Sequence, residues 1–379
     1  MDKAVRYGII GLGVQGSMYL LKIFDKGEAK NAYVSAACDI NPEKIEKVKV
    51  QTTNQDIVYF EDYKEMLDSG LCDAVLVEVP HYAHPEIVME CLKRGIHVIC
   101  EKPAGVYTKQ VKEMMVASEK SDALFGMMFN QRTNCTYRKM REMIMNGEIG
   151  EIQRVTWIIT NWYRTQFYYD SGDWRATWDG EGGGVLFNQC PHQLDLVQWV
   201  VGMSPKSVRG FCKYGQWHDI EVEDDVTAYL EYENGATGAF ITTTGEAPGT
   251  NRFEVSGTKG KLLCENGKLL FMKNAQDTKN HIKNATVTEN QDNKSELIEV
   301  ETDGQNPQHK GIINNFTAAI RGEEELFVKG TDGLSGVELM NAIEYSGWHD
   351  GARTMIPVDE EKYLSELNEL RKTSRYKKK

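Results

Sequence analysis

Two side chains in this sequence, Lys102 and His192, have the chemistry needed to take a secondary alcohol to a ketone. Removing hydride from a carbinol carbon requires the hydroxyl proton to leave as well, so a base and a donor that favours the developing alkoxide must converge on one oxygen. His192 is the candidate base, because an imidazole of ordinary pKa ~6.5 accepts a proton near neutrality. Lys102, in Glu101-Lys102-Pro103 at the predicted carboxyl end of a strand, is the candidate donor. Pro103 holds residue 102 extended and so restricts where its side chain points, and Glu101 positions Lys102 or a cofactor ribose. A predicted helix over Gly184 to Val201 puts Asn188 and His192 one turn apart, with Asp195 on the same side. The result is a polar stripe on a helix otherwise made of Val185, Leu186, Leu194, Leu196 and Val197. A hydrogen-bonded core histidine is the plainer reading of the same pattern.

Hydride needs an acceptor, and the N-terminus supplies a place for one. The apolar run Val5 to Ile10 leads into Gly11-Leu12-Gly13-Val14-Gln15-Gly16 and then a helix-like stretch. In a strand-turn-helix of this kind Gly11 permits the tight turn, Gly13 lets a pyrophosphate approach the backbone and Gly16 lets helix and strand pack closely. Val14 and Gln15 in the turn are expected cofactor contacts, and the helix-like stretch from Ser17 to Asp25 turns its N-terminus to the phosphates. The next strand ends at Asp39, 23 residues after Gly16. A carboxylate there accepts from the ribose hydroxyls and repels a 2′-phosphate, and no arginine follows closely, so NAD is favoured over NADP.

The elements that must position these groups are legible in outline. Strand runs at Val5 to Ile10, Val34 to Cys38, Asp73 to Val79, Ile96 to Cys100 and Ala123 to Met128 alternate with amphipathic helices such as Glu86 to Arg94 and Lys109 to Lys120. That alternation predicts an α/β domain, a Rossmann doubly wound parallel sheet, over residues 1–128. From Ile152 onward strands follow one another, with Glu233-Asn234-Gly235 and Glu265-Asn266-Gly267 as hairpin turns. Residues 129–379 are therefore expected to form an α+β domain with a large, mostly antiparallel open sheet for substrate binding and oligomerisation. Its helices are predicted at Gly184 to Val201, Lys310 to Arg321 and Leu334 to Gly351. Residues 273–308 read as a polar excursion with one edge strand near Leu297 to Val300.

Acids outnumber bases 56 to 44, a net charge of −12, which argues against nucleic acid or an anionic membrane surface as partner. No run of 18 apolar residues is present, and a first strand beginning within five residues of Met1 leaves no room for a signal peptide, so a cytoplasmic protein is expected. Eight cysteines without short paired spacing read as reduced thiols, and no cysteine or histidine cluster has the spacing of a metal site. The basic run from Arg371 to Lys379 reads as a solvated tail.

Taken together, the glycine turn, Val79-Pro80-His81-Tyr82-Ala83-His84, Glu101-Lys102-Pro103, the Gly182-Gly183-Gly184 entry to Asn188 and His192, and Glu223-Asp224-Asp225 resemble the Gfo/Idh/MocA family of oxidoreductases, from Arg6 to about Pro357. Within it Trp174-Arg175-Ala176-Thr177-Trp178 followed by Asn188 to Asp195 is most similar to dehydrogenases of levoglucosan and of glycosides at C3. The resemblance implies Val79, Pro80, His84, Asn130, Trp174 and Arg175 as further cofactor contacts. It implies Lys102, Tyr163, Trp174, Arg175, Asn188, Gln189 and His192 as substrate contacts. Where the family usually carries an aspartate this chain has Asn188; an amide cannot take up a proton, so Asn188 is read as a hydrogen-bonder to substrate. The dense aromatics from Trp157 to Trp178 suit the apolar faces of sugar rings. Arg132 is expected at the cleft or the interdomain joint.

The implied activity is NAD-dependent oxidation of a secondary hydroxyl, at C3, of a sugar, glycoside or anhydro sugar. An NAD-dependent glycoside hydrolase that oxidises its sugar transiently, and an inositol or polyol dehydrogenase, are the alternatives; a redox-sensing or binding protein that has kept the fold without catalysis is a third. A sheet with one uncovered face suggests a homodimer or larger.

Overall fold

The computed structural model describes residues 4–288 and 293–376, and the chain divides into two units. One comprises residues 1–130 and 307–337, the other 131–306 and 338–379. The chain crosses near the expected boundary at residue 128, but the stretch 307–337, read from sequence as part of the second domain, packs with the first unit. The reason is apolar: the Phe316 ring closes on Gly126, and the Phe125 ring lies against Gly330.

In the first unit six strands form an all-parallel sheet: β1 (Val5–Ile10), β2 (Ala32–Cys38), β3 (Val58–Phe60), β4 (Ala74–Val77), β5 (His97–Cys100) and β6 (Phe125–Met127). Their order, β3-β2-β1-β4-β5-β6, is doubly wound and reverses between β1 and β4. A crevice for a ligand lies outside the carboxyl ends of strands at such a reversal. β4 is buried along its whole length, as a central parallel strand covered on both faces must be. The helices are α1 (Val14–Met18), which continues as a π-helical stretch Tyr19–Phe24, α2 (Pro42–Lys49), α3 (Tyr63–Asp68), α4 (His84–Lys93) and α5 (Thr108–Glu119). β3 and α3, absent from the sequence reading, are three and six residues long, too short for a clear period.

The second unit holds α6 (Cys135–Met145), β7 (Ile152–Ile159), α7 (Gln166–Asp170), α8 (Pro191–Trp199), β8 (Ser207–Tyr214), β9 (Glu223–Glu231), β10 (Thr237–Thr243), β11 (Asn251–Gly257), β12 (Gly260–Glu265), β13 (Lys268–Asn274), α9 (Thr278–Asn284) and β14 (Ser295–Glu299). The chain ends with α10 (Gln308–Ile320) in the first unit, α11 (Gly333–Trp348), β15 (Thr354–Met355) and α12 (Glu360–Thr373). Nine strands form one sheet, β14-β13-β12-β11-β7-β10-β9-β8-β15, antiparallel except for the β7 and β10 pair. Its core stacks Trp157 on Phe253, centroids 4.2 Å apart and 10° from parallel.

Three expectations change. The predicted helix from Gly184 begins only at Pro191, which lacks an N–H and so suits a first helical turn; residues 182–190 are bends and turns. The 273–308 excursion has its edge strand but also α9, while residues 289–292 lie outside the described part. The basic tail is anchored through residue 375. Arg371 Nε donates to Asp179 Oδ1 at 2.7 Å, the Ser374 hydroxyl donates to Glu221, and Arg375 N donates to Glu221 Oε2 at 2.8 Å.

Candidate active site

In the first unit the glycine turn is built as its spacing requires. Gly11 has φ +98°, and a Cβ there would lie 2.3 Å from Glu78 O. On Gly16 a Cβ would lie 1.9 Å from Gly11 O, so helix and strand meet backbone to backbone. A Cβ on Gly13 would meet nothing within 4 Å: the space beside the N-terminus of α1 is open. Val14, at the first position of α1, is 85% exposed. Glycines pack the turn from behind and leave its front free, which fits a dinucleotide phosphate held at a helix N-terminus. Asp39 is buried at the end of β2; its Oδ2 accepts from Leu12 N at 2.8 Å and its Oδ1 from Asn41 N at 2.9 Å. Lys44 Nζ is 3.5 Å from Oδ2, a cation that a search for arginine passes over.

Lys102 follows β5, one strand from the reversal, in a frame of buried groups. Tyr19, fully buried on the π-helical stretch, donates its hydroxyl to Glu101 Oε1, and Glu101 Oε2 accepts from Lys102 N at 3.0 Å. The Lys102-Pro103 bond is cis. His84 sets one ring nitrogen 2.7 Å from Pro103 O and the other 2.8 Å from Val79 O. Burial pushes this imidazole down to about 4, against the opposite pull of the two carbonyl oxygens it faces. His84, Val79 and Pro80, expected to touch cofactor, thus form a clasp that ties the loop after β4 to the Lys102-Pro103 turn. Asn130 donates Nδ2 to Gln308 Oε1 at 2.5 Å, joining the end of β6 to the returning segment. The next residue of that segment, His309, lies against Tyr19, centroids 5.5 Å apart. Burial and then the charge of Lys102 push His309 down to about 4. Tyr19, Glu78 and His309 escaped the sequence reading; the signal available was a carboxylate directly after the apolar Ala74–Val77.

In the second unit His192 occupies the second position of α8. Asn188 lies three residues before that helix, so the two are not partners on one helical face as the sequence reading held. What fixes Asn188 is Glu181, 2% exposed: its Oε1 accepts from Asn188 Nδ2, and its Oε2 accepts from Ala176 N at 2.6 Å. Asn188 Oδ1 then meets Tyr168 Oη at 3.3 Å and Gln189 Nε2 at 3.1 Å. Arg175 donates to Tyr168 Oη at 3.0 Å and stacks between the rings of Tyr168 and Trp174, 4.7 and 4.8 Å from their centroids. Arg175, Tyr168, Asn188, Gln189 and Glu181 therefore form one connected polar group. Tyr163 is not hydrogen-bonded into it through its ring and is half exposed.

Asp195 is paired with a cation instead of lying open to substrate. Both its oxygens take the guanidinium of Arg132, 2.8 Å from Nε and 2.5 Å from Nη2, with both side chains buried. A buried bidentate pair of this kind costs about 3–5 kcal/mol to break from one side, so Asp195 and Arg132 are framework. So are the three acids that open β9. Glu223 accepts from Gly184 N at 2.7 Å and Leu186 N at 2.9 Å, fixing the turns that lead to Asn188. Asp224 accepts from Gln216 N, Trp217 N and His218 N, and Asp225 from the Trp217 indole.

Residues 5–129 match the oxidoreductase family with an NAD-binding Rossmann fold, and residues 137–263 match the GFO/IDH/MocA C-terminal domain. The chain belongs to the Gfo/Idh/MocA family. It is an NAD-binding oxidoreductase. Among relatives, it is 26% identical over 272 residues to myo-inositol 2-dehydrogenase of Thermotoga maritima, covering 69% of this chain and 75% of that one. Among solved structures, it is similar to the WlbA dehydrogenase from Bordetella pertussis in complex with NADH and UDP-GlcNAcA, with a TM-score of 0.79, 26% identity, and coverage of 95% of this chain and 99% of that one. Levoglucosan dehydrogenase in complex with NADH and levoglucosan has the same fold, with a TM-score of 0.76, 19% identity, and coverage of 94% and 100%. Among the described residues no helix is long and apolar enough to cross a membrane.

Proposed function

We propose that this family member is an NAD-dependent dehydrogenase that oxidises a secondary hydroxyl of a sugar, glycoside or cyclic polyol to a ketone. The observation that carries the reading is the connected group of Arg175, Tyr168, Asn188, Gln189 and Glu181. A guanidinium, a phenol and two amides, each already oriented by a neighbour, offer donors and acceptors at several points together. Vicinal hydroxyls use such an array, whereas an isolated alcohol would leave most of it unmatched. The Trp174 ring beside Arg175 supplies the apolar surface that the CH face of a pyranose or inositol stacks on.

Bound NAD supplies the hydride acceptor. Gly11, Gly13 and Gly16 shape its phosphate turn, and Asp39 meets its adenosine ribose. His192 takes the hydroxyl proton, and Lys102, held by the Glu101 and Tyr19 frame, donates to the same oxygen and favours the alkoxide. Asn188, its amide turned by Glu181, is a substrate hydrogen-bonder and not a proton carrier. Names of the related proteins, an inositol dehydrogenase and dehydrogenases solved with a sugar nucleotide and an anhydro sugar, agree with a polyhydroxylated ring.

The test is a screen for NADH release over glucose, the inositols, levoglucosan and aryl glucosides, with product regiochemistry by NMR. The reading expects stoichiometric NADH with at least one of these and a ketone at one ring carbon, C3 for a glucoside. Turnover of simple alcohols alone, or release of aglycone without accumulating NADH, would contradict it.

A further inference from the structure

The carboxylate of Glu78 has no role in the frame described above. It directly follows β4, at the strand reversal where the dinucleotide crevice opens, and its backbone carbonyl is the atom that Gly11 closes against. Both carboxyl oxygens are buried and neither has a hydrogen-bond partner. The titratable groups facing it are Glu101 and Lys102 beyond β5, Cys100 at the end of β5, and Tyr19 from the helix after the glycine turn. Of these, Glu101 is already committed to the Tyr19 hydroxyl and to Lys102 N.

These groups set a charge balance. One ammonium, Lys102, stands near two buried carboxyls. An unpartnered buried carboxylate is expensive to keep ionised, and a second carboxylate beside it makes ionisation harder still. Glu101, with two donors, keeps its charge more readily; Glu78, with none, holds its proton. Burial first, then the charge of Glu101, push Glu78 well above the usual carboxylate range, against the pull of Lys102. Burial pushes Glu101 upward too, opposed by the charge of Lys102 and by the Tyr19 hydroxyl and Lys102 N, donors that Glu78 lacks.

The oxidised dinucleotide carries one more positive charge on its ring than the reduced form, and under the proposed function that ring stands beside Lys102. We propose that Glu78 is a proton-holding acid that surrenders its proton when the oxidised cofactor binds and keeps it when the reduced cofactor binds. Glu78 thereby sets the relative affinity of the protein for the two. The proton passes from the carboxyl to solvent, and the carboxylate left behind offsets the added positive charge. The inference rests on NAD binding in the first unit and is independent of the substrate.

Linkage fixes the sign. A site that must lose a proton to bind its ligand binds more tightly as pH rises between the bound and free pKa values, by up to about tenfold per unit. The experiment measures NAD+ and NADH dissociation constants by calorimetry from about pH 5.5 to 9, in buffers of different ionisation heat so that proton release is counted. The wild-type protein should release a proton with NAD+ and gain affinity with pH, while NADH binding stays flat. Glu78→Gln, an isostere of the protonated acid, should lose both the release and the slope and bind NAD+ about tenfold more weakly at the alkaline end, with NADH affinity unchanged. Equal slopes for the two cofactors, or an unaltered NAD+ slope in Glu78→Gln, would overturn the assignment. Should that variant not fold, infrared difference spectra of the wild type decide: a protonated-carboxyl band must vanish on adding NAD+ and persist with NADH, and its absence refutes the idea. Binding of neither cofactor would instead overturn the dinucleotide assignment itself.

Discussion

Leu12 donates its backbone N–H to Asp39 Oδ2 at 2.8 Å. The acid at the end of β2 therefore holds the glycine turn in shape, a role distinct from the ribose contact proposed for it, and the two can be separated by substitution. Asp39→Asn keeps an acceptor for Leu12 N, loses the one for Asn41 N, and removes the charge that repels a 2′-phosphate. It also releases Lys44, 3.5 Å away, to attract one. NADP affinity relative to NAD should rise by about tenfold or more, a shift of about 1.4 kcal/mol, while the lost acceptor for Asn41 N lowers stability by about 1–3 kcal/mol. Binding titrations with both cofactors check this, and an unchanged ratio would mean that another residue sets the preference.

Gly13 and Gly16 should respond differently to the same added methyl. At Gly16 the new Cβ would lie 1.9 Å from Gly11 O, a backbone atom that cannot turn aside, so Gly16→Ala should lower stability by about 1–3 kcal/mol and abolish NAD binding. At Gly13 it enters open space, so Gly13→Ala should leave the melting temperature nearly unchanged while weakening NAD by about tenfold or more. Thermal melts paired with titrations separate the two. Equal destabilisation would show that Gly13 is packed.

Much of this was legible in residue order. Buried parallel strands are continuous apolar runs, and the turn between β1 and α1 announces itself because only glycine tolerates its φ and its backbone contacts. The candidate site was legible by residue type but not by partnership. Asp195 is three residues from His192 on α8, yet its charge goes to Arg132, which is distant in sequence. Asn188 was placed on a helix that does not begin until Pro191, and its partner, Glu181, sits across a glycine-rich turn where no periodicity exists to read. Long-range pairing of this kind is decided by tertiary packing. Glu344 is another case, an acid in an otherwise ordinary helix pattern whose environment the sequence does not disclose.

Glu344 is buried on α11, with the Tyr214 hydroxyl and the Trp348 indole beside its carboxyl. Burial, with Glu223 nearby, pushes it well above its usual range; burial likewise pushes Glu223 up to about 8. A carboxyl whose pKa is higher folded than unfolded binds more protons in the native state, so stability falls as pH climbs from the unfolded value toward the folded one. Melting temperature should therefore decline between about pH 4.5 and 8. Glu344→Gln should flatten the decline and add about 1 kcal/mol or more at its upper end. Melts across this range check it, and a profile identical to wild type would refute it.

The claim that Lys102 and His192 serve one proton and one oxygen is tested most directly by single-turnover hydride transfer in Lys102→Ala, His192→Ala and the double variant, on whichever substrate the NADH screen yields. Each single substitution should slow transfer by about 10² or more with NAD affinity within a few-fold of wild type, and the double variant should be scarcely slower than the worse single. A wild-type rate in either single variant, or losses that simply multiply in the double, would contradict the shared role.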